Sequence, residues 1–130
     1  MTLELSLLMF AVMLGFLHIL FSAHATSRQR GYRWTASARD DPMPPLSGVA
    51  GRLERALRNF LETFPFFAAL VLTAHVLNVH DALTRWGAVL YFAGRLVYLP
   101  LYAAGVPLVR SLAWNVAAVG LLLLIVALLR

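Results

Sequence analysis

Hydrophobic residues gather in four long runs that are separated by polar segments. The runs cover Leu3 to Ala25, Phe60 to Val79, Leu83 to Ala104 and Val106 to Leu129. Each run is close to the roughly 20 residues that an α-helix needs to cross the hydrocarbon core of a bilayer. The connections after the second and third runs are only a few residues long, and such short connections make consecutive helices antiparallel. The pattern predicts an all-α, integral membrane four-helix bundle that forms a single domain over residues 1–130.

The one long polar segment lies between the first two runs, from Thr26 to Arg58. It contains seven of the eleven arginines and only three acids. An excess of basic residues is typical of loops that remain in the cytoplasm, and with four spans both termini then lie on the other side of the membrane. The proline-rich stretch "RDDPMPPLSG" at 39–48 interrupts the helix. We therefore expect spans at about 3–25, 52–79, 83–104 and 106–129, with a cytoplasmic loop at 26–51.

Composition supports a membrane protein over a soluble one. Of the 130 residues, 61% are hydrophobic and 13% are charged, whereas soluble domains carry roughly 25% charged residues. A net charge of +5 would suit nucleic acid, but the apolar background favours the membrane surface as the partner. The absence of cysteine excludes disulfides and thiolate metal sites. The four histidines have no metal-ligand spacing, so we interpret them as packing or interfacial residues and predict no metal.

A polar face occurs on the second span. At 100° per residue, Arg55, Asn59 and Glu62 fall on one side of the helix. An unpaired carboxylate within the membrane is costly, so we expect Glu62 to face the bundle interior or a neighbouring subunit, with a partner. Two interpretations fit this face: a polar clamp that holds helices together, or a ligand site.

A second polar stripe occurs on the third span, where Tyr91, Arg95, Tyr98 and Tyr102 share a face. The tyrosines alone would also fit an interfacial aromatic belt. Arg95 lies roughly 15 Å from the cytoplasmic end of its helix, which is too deep for easy access to water. It needs an anion, and Glu62 is the only acid inside a span at comparable depth.

The fourth span adds Arg110 near its start and Asn115 deeper. The cytoplasmic half of the bundle therefore offers arginines, tyrosines and asparagine to an anionic, hydrogen-bonding molecule, while the lipid gives access to apolar molecules. This division suits a reaction between a charged cosubstrate and a membrane-dissolved one. Glutathione fits the first role because arginine binds carboxylates in a bidentate manner. These residues alone do not distinguish glutathione from other anions.

The stretch "RLERALRNFLETFP" at 52–65 resembles the hallmark of the MAPEG family, the membrane-associated proteins in eicosanoid and glutathione metabolism. The positions that match are Arg55, Ala56, Asn59, Glu62 and Pro65. The stretch "RLVYLPLY" at 95–102 resembles the signature of the family's third helix. Length, four spans and a long first loop also match, so the resemblance covers nearly the whole chain.

The resemblance implies a homotrimer of four-helix subunits that binds glutathione as cosubstrate between subunits, near the cytoplasmic side. The family's glutathione-binding positions correspond to Arg55, Asn59, Glu62, Tyr98 and Tyr102, and the arginine proposed to stabilise the thiolate corresponds to Arg110. The implied activity is that of a microsomal-type glutathione transferase or peroxidase acting on lipophilic electrophiles. The implied partners are glutathione, a lipophilic small molecule, membrane lipid and further copies of the chain, with no nucleic acid. The chain is small, and arginine takes every position that lysine could share. These two features favour a bacterial member in the inner (cytoplasmic) membrane.

The chain departs from the family pattern at three positions. Leu57 stands where some glutathione-binding members have a polar residue, and Thr63 stands where some have tyrosine. Arg110 is offset by about one residue from its counterpart in the closest animal members. These departures leave a second hypothesis open: a non-catalytic MAPEG-like membrane protein that binds lipid or a partner protein.

Overall fold

The computed structural model describes residues 1–130, which form five α-helices and no strands. The helices are α1 (Leu3–Arg30), α2 (Tyr32–Ala36), α3 (Gly48–Val76), α4 (Ala82–Ala104) and α5 (Pro107–Leu129). All except the short α2 are long and apolar enough to cross a membrane. The predicted all-helical fold with four membrane-length helices is confirmed.

The helices extend beyond the apolar runs on the side of the long loop. The first helix continues five residues past Ala25 to Arg30, and α3 begins at Gly48 rather than at 52. The segment predicted as a loop at 26–51 also contains α2. These ends are polar, but helical backbone satisfies its own hydrogen bonds in water as well as in lipid, and arginines in the last turn of α1 interact favourably with the helix dipole. Hydropathy therefore indicates where a helix enters the membrane and not where it ends.

Helices α4 and α5 pack backbone against backbone through small residues. A Cβ atom added at Gly120 would lie 2.5 Å from both the carbonyl oxygen of Gly87 and the amide nitrogen of Tyr91. One added at Gly94 would lie 2.7 Å from the carbonyl oxygen of Ala113. Small residues that permit such close approach are typical of helix pairs in membranes. The two helices therefore form a rigid hairpin, onto which α1 and α3 pack.

The core between the hairpin and the other two helices consists of two apolar clusters. In one cluster the ring of Phe67 from α3 stacks on Tyr91 from α4, with ring centroids 4.1 Å apart. In the other, Phe60 from α3 packs among residues from α1, α4 and α5. The buried His18 of α1 lies against Phe60, with ring centroids 4.9 Å apart, in agreement with its interpretation as a packing residue.

A polar network closes the end of the bundle that lies away from the long loop. The hydroxyl of Thr84 donates to the buried Glu4 carboxylate at 2.7 Å, which joins α4 to α1. Asp81 caps α4 by accepting from the amide nitrogens of Leu83 and Thr84 at 2.8 and 3.0 Å, and it pairs with Arg130, which follows α5. The backbone hydrogen bond from Thr84 lowers the pKa of Asp81 below its ordinary value. Both chain ends are thus tied to the start of α4.

The backbone contact between α4 and α5 yields a stability prediction. Gly120→Ala should lower the melting temperature of the protein in detergent, even though alanine is the better helix former by about 1 kcal/mol. The added methyl group would meet backbone atoms, and these can move only if the two helices separate. Gly15→Ala is the comparison variant and should lower the melting temperature less, because its methyl group would meet the side-chain ring of Phe60 and no backbone atom of another helix. Equal melting temperatures for the two variants would contradict the tight packing of the hairpin.

Candidate functional site

A buried arginine without an acidic partner lies at the centre of the bundle. Arg95 of α4 is only 1% exposed. Its Nη1 donates to Oδ1 of Asn59 at 2.6 Å, and its Nη2 donates to the hydroxyl of Thr63 at 2.5 Å. Its Nε is buried and has no hydrogen-bond partner. Every oxygen that receives a hydrogen bond from this guanidinium is neutral, so no acid contacts its positive charge directly within the subunit.

Two tyrosine rings complete the surroundings of Arg95. Its Cζ lies 5.7 Å from the ring centroid of Tyr91 and 5.4 Å from that of Tyr98. The negative faces of aromatic rings attract a guanidinium, and the attraction increases away from water. The Tyr91 hydroxyl also lies 3.1 Å from the hydroxyl of Thr63. Thr63 therefore connects the arginine to the tyrosine.

The predicted pairing of Arg95 with Glu62 is wrong in the single subunit. Glu62 is exposed on the outer face of α3, and no salt bridge joins it to an arginine. The cause is the rotation of each side chain about the axis of α3. Asn59 and Thr63 are four residues apart and point to the same side of the helix, whereas Glu62 is rotated by about 100° from Thr63. Similar depth in the membrane therefore does not make two side chains face each other, because rotation about the helix axis also matters.

Nearer the long loop, two further arginines contact the Tyr102 side chain. Nε of Arg55 from α3 donates to the Tyr102 hydroxyl at 3.1 Å. Cζ of Arg110 from α5 lies 4.5 Å from the Tyr102 ring centroid. The rings of Tyr98 and Tyr102 are 5.4 Å apart. Residues from three helices of the same chain therefore converge on one tyrosine.

A polar cavity of about 230 Å³ opens beside this cluster. Its lining consists of Asn59, Tyr98, Tyr102, Arg110, Ser111, Trp114 and Asn115. Four of the six residues predicted from the sequence line this cavity, and a fifth, Arg55, is bonded to the lining residue Tyr102. The sixth, Glu62, does not line it. No acid lines the cavity, so its surroundings favour an anion.

An apolar cavity of about 300 Å³ lies next to the polar one. It is lined by Thr63, Arg95, Trp114, Ala118, Leu121, Leu122 and Ile125. Trp114 borders both cavities, so one indole separates a polar compartment from an apolar one. The arrangement can hold a charged molecule and a lipophilic molecule side by side.

Sequence reasoning missed three residues of this site: Thr63, Ser111 and Trp114. Helical spacing would have found two of them, since Thr63 follows Asn59 by four residues and Trp114 follows Arg110 by four. The family pattern marks Thr63 only as a departure, yet its hydroxyl accepts a hydrogen bond from Arg95. Leu57, another of the three departures, lines neither cavity and lies in a groove on the α1 side.

Comparison with known proteins agrees with this architecture. The model of the MAPEG family matches residues 7–130, which include α3, α4, α5 and nearly all of α1. No curated protein matches the chain. The match covers every residue that lines the two cavities. Together with the four membrane-length helices it identifies an integral membrane protein. The chain belongs to the MAPEG family, as the resemblance predicted.

Proposed function

We propose that the protein is a membrane-bound, glutathione-dependent transferase or peroxidase that acts on lipophilic electrophiles. The observation that carries this proposal is a cavity lined by Arg110, two tyrosines and two asparagines without any acid. Glutathione carries two carboxylates, which charge-assisted hydrogen bonds from arginine bind strongly. Membership of a family of glutathione and eicosanoid metabolism supports the same cosubstrate.

The proposal assigns glutathione-binding roles to four residues at the cavity. Arg55, at the mouth, binds a carboxylate of the tripeptide. Asn59, Tyr98 and Tyr102 supply hydrogen bonds that fix its orientation. The cavity volume of about 230 Å³ is below the roughly 300–1,000 Å³ typical of small-molecule sites. A neighbouring subunit would complete its wall.

The exposed carboxylate of Glu62 also supports a homotrimer. On the single subunit this side chain faces outward from a membrane-length helix. A carboxylate in contact with lipid is costly, and such residues face protein or water-filled cavities. In the proposed trimer a second subunit covers Glu62 and brings it to the bound glutathione, in the binding role that the resemblance assigns to it.

The proposed reaction begins with ionisation of the glutathione thiol. A free thiol has a pKa of about 8.5, and a neighbouring cation favours the thiolate. Arg110 is the cation proposed for this role, because it lies over Tyr102 and lines the polar cavity. The thiol proton passes to water at the cavity mouth. The thiolate then attacks an electrophile held in the apolar cavity, a carbon–sulfur bond forms, and the leaving group departs with the electron pair of the broken bond.

The alternative function is a non-catalytic membrane protein that binds lipid or a partner protein. It is favoured by the contacts of Thr63 with Arg95 and Tyr91, which are those of a structural polar clamp between helices. The two functions differ in chemistry. A transferase forms a thioether from glutathione and a lipophilic electrophile such as a chlorodinitrobenzene, whereas a clamp does not.

We further propose that residues 26–58 face the cytoplasm of a bacterial cell and that both termini lie outside the inner membrane. The chain has no cysteine, so a single introduced cysteine can be labelled without interference. Ser37→Cys should resist an impermeant thiol reagent in intact cells and react after lysis. Leu77→Cys, at the exposed end of α3, is the matched control and should react in intact cells. The reverse labelling pattern would contradict this orientation.

Arg110 provides the sharpest test of the proposed chemistry. Arg110→Ala should lower kcat for conjugation and leave glutathione affinity nearly unchanged, because Arg55, and not Arg110, is the arginine proposed to bind a carboxylate. It should also raise the pH at which bound glutathione becomes a thiolate. The measurement is the ultraviolet thiolate absorbance against pH.

Arg85→Ala is the control, since it removes an exposed arginine at the opposite end of α4. Coincident titration curves for the wild type and Arg110→Ala would show that Arg110 does not stabilise the thiolate. A wild-type protein that forms no thioether would favour the non-catalytic alternative.

A further inference from the structure

A groove made of two adjoining pockets runs along α1 and α3 and shares no lining residue with the two cavities of the candidate site. Its upper part, about 230 Å³, is lined by Ile19, Ser22, Ala23, Thr26, Thr35, Arg39 and Leu57. Its lower part, also about 230 Å³, is lined by Val12, Gly15, Phe16, Ile19, Phe60, Leu61 and Phe64. Ile19 lines both parts, so the two lie next to each other at its side chain.

The lower part is an apolar slot that opens towards the membrane. Its walls are side chains such as Phe16 and Leu61, which are exposed on the single subunit. Gly15 lets the ring of Phe60 pack against α1 and form the floor of the slot, because a Cβ atom at Gly15 would lie 2.7 Å from that ring. From Ile19 to Val12 the slot follows α1 for roughly 10 Å at 1.5 Å per residue. This shape and lining suit an acyl chain.

The upper part is polar and lies where α1 leaves the hydrocarbon. It carries the hydroxyls of Ser22, Thr26 and Thr35, and it ends at Arg39. Nε of Arg39 donates to the carbonyl oxygen of Thr35 at 3.2 Å, while its two terminal nitrogens donate to no protein group. The guanidinium also lies over the Trp34 ring, with Cζ 5.6 Å from the centroid. The arginine is therefore held in place with two nitrogens free to bind an anion.

No acid lines this end of the groove or pairs with its arginine. The lining contains no aspartate or glutamate, and Asp40 and Asp41, which follow Arg39 in the chain, form no salt bridge with it. Arg28 and Arg33 are exposed on the same segment. Basic clusters beside a membrane helix attract anionic lipid headgroups. Charge and shape together point to an amphiphile with an anionic head above an apolar tail.

We propose that this groove binds one anionic phospholipid, with its phosphate on Arg39 and one acyl chain in the slot between α1 and α3. The proposal does not depend on which side of the membrane the long loop occupies, since it rests on contacts within this subunit. A phospholipid satisfies both parts of the groove at once, whereas free phosphate leaves the slot empty.

Native mass spectrometry of the protein in detergent tests the proposal with two phospholipids of identical acyl chains. Phosphatidylglycerol should remain bound at one molecule per subunit, and phosphatidylcholine should bind more weakly. Arg39→Gln should weaken phosphatidylglycerol binding by about fivefold, the loss expected for one arginine at a lipid surface, and should leave phosphatidylcholine binding unchanged. Arg85→Gln removes the same charge from the far end of the bundle and should have no effect. Equal effects of the two variants, or equal binding of the two lipids, would overturn the proposal.

A second variant separates the lipid from other occupants of the groove. Ile19→Trp narrows the junction of the two parts without a change of charge, and it should reduce phosphatidylglycerol binding to the level of phosphatidylcholine. Glycerol phosphate, which has the head without the chains, should not compete with the bound lipid. If Ile19→Trp alters the oligomeric mass and leaves lipid binding intact, the groove is a contact between subunits and the proposal is wrong.

Discussion

The burial of the Arg95 guanidinium among four apolar helices constrains the rest of the structure. A buried charge is expensive to remove from water, and a partner acid would normally offset part of that cost. The groups in direct contact with it are neutral: the amide of Asn59, the hydroxyl of Thr63 and two tyrosine rings. The α3 helix must therefore turn Asn59 and Thr63 towards α4. The neighbouring polar cavity is lined by the Arg110 guanidinium and by no acid, so it favours an anionic ligand.

The rigid α4–α5 hairpin fixes the positions of the site residues on these two helices relative to each other. Gly94 and Gly120 bring the two backbones into contact, which fixes Arg110 of α5 relative to Tyr102 of α4. Arg55 reaches the same tyrosine from α3. The polar cavity lies at the end of the bundle that carries the arginine-rich loop, and the apolar cavity lies deeper. A charged molecule can thus reach the polar cavity from water, and a lipophilic molecule can reach the apolar cavity from lipid.

The sequence predicted the features that depend on composition and local spacing. Four apolar runs predicted four spans, and the motif positions Arg55, Asn59, Tyr98 and Tyr102 come together at one end of the bundle. The sequence did not predict features that depend on helix rotation and tertiary packing. Charge and depth indicate Glu62 as the partner of Arg95, yet Thr63 is the residue whose side chain points towards that guanidinium. The two cavities and α2 likewise arise from packing between elements distant in sequence, which local patterns do not record.

Isothermal titration of glutathione into the purified protein in detergent tests the central claim most directly: that the cationic cavity binds this anionic cosubstrate. The charged contacts predict saturable binding at one site per subunit. They also predict that the affinity falls as salt screens the interaction between arginine and carboxylate. Saturable binding in low salt that weakens on addition of salt would support the claim. No saturable binding at millimolar glutathione, or binding insensitive to salt, would contradict it.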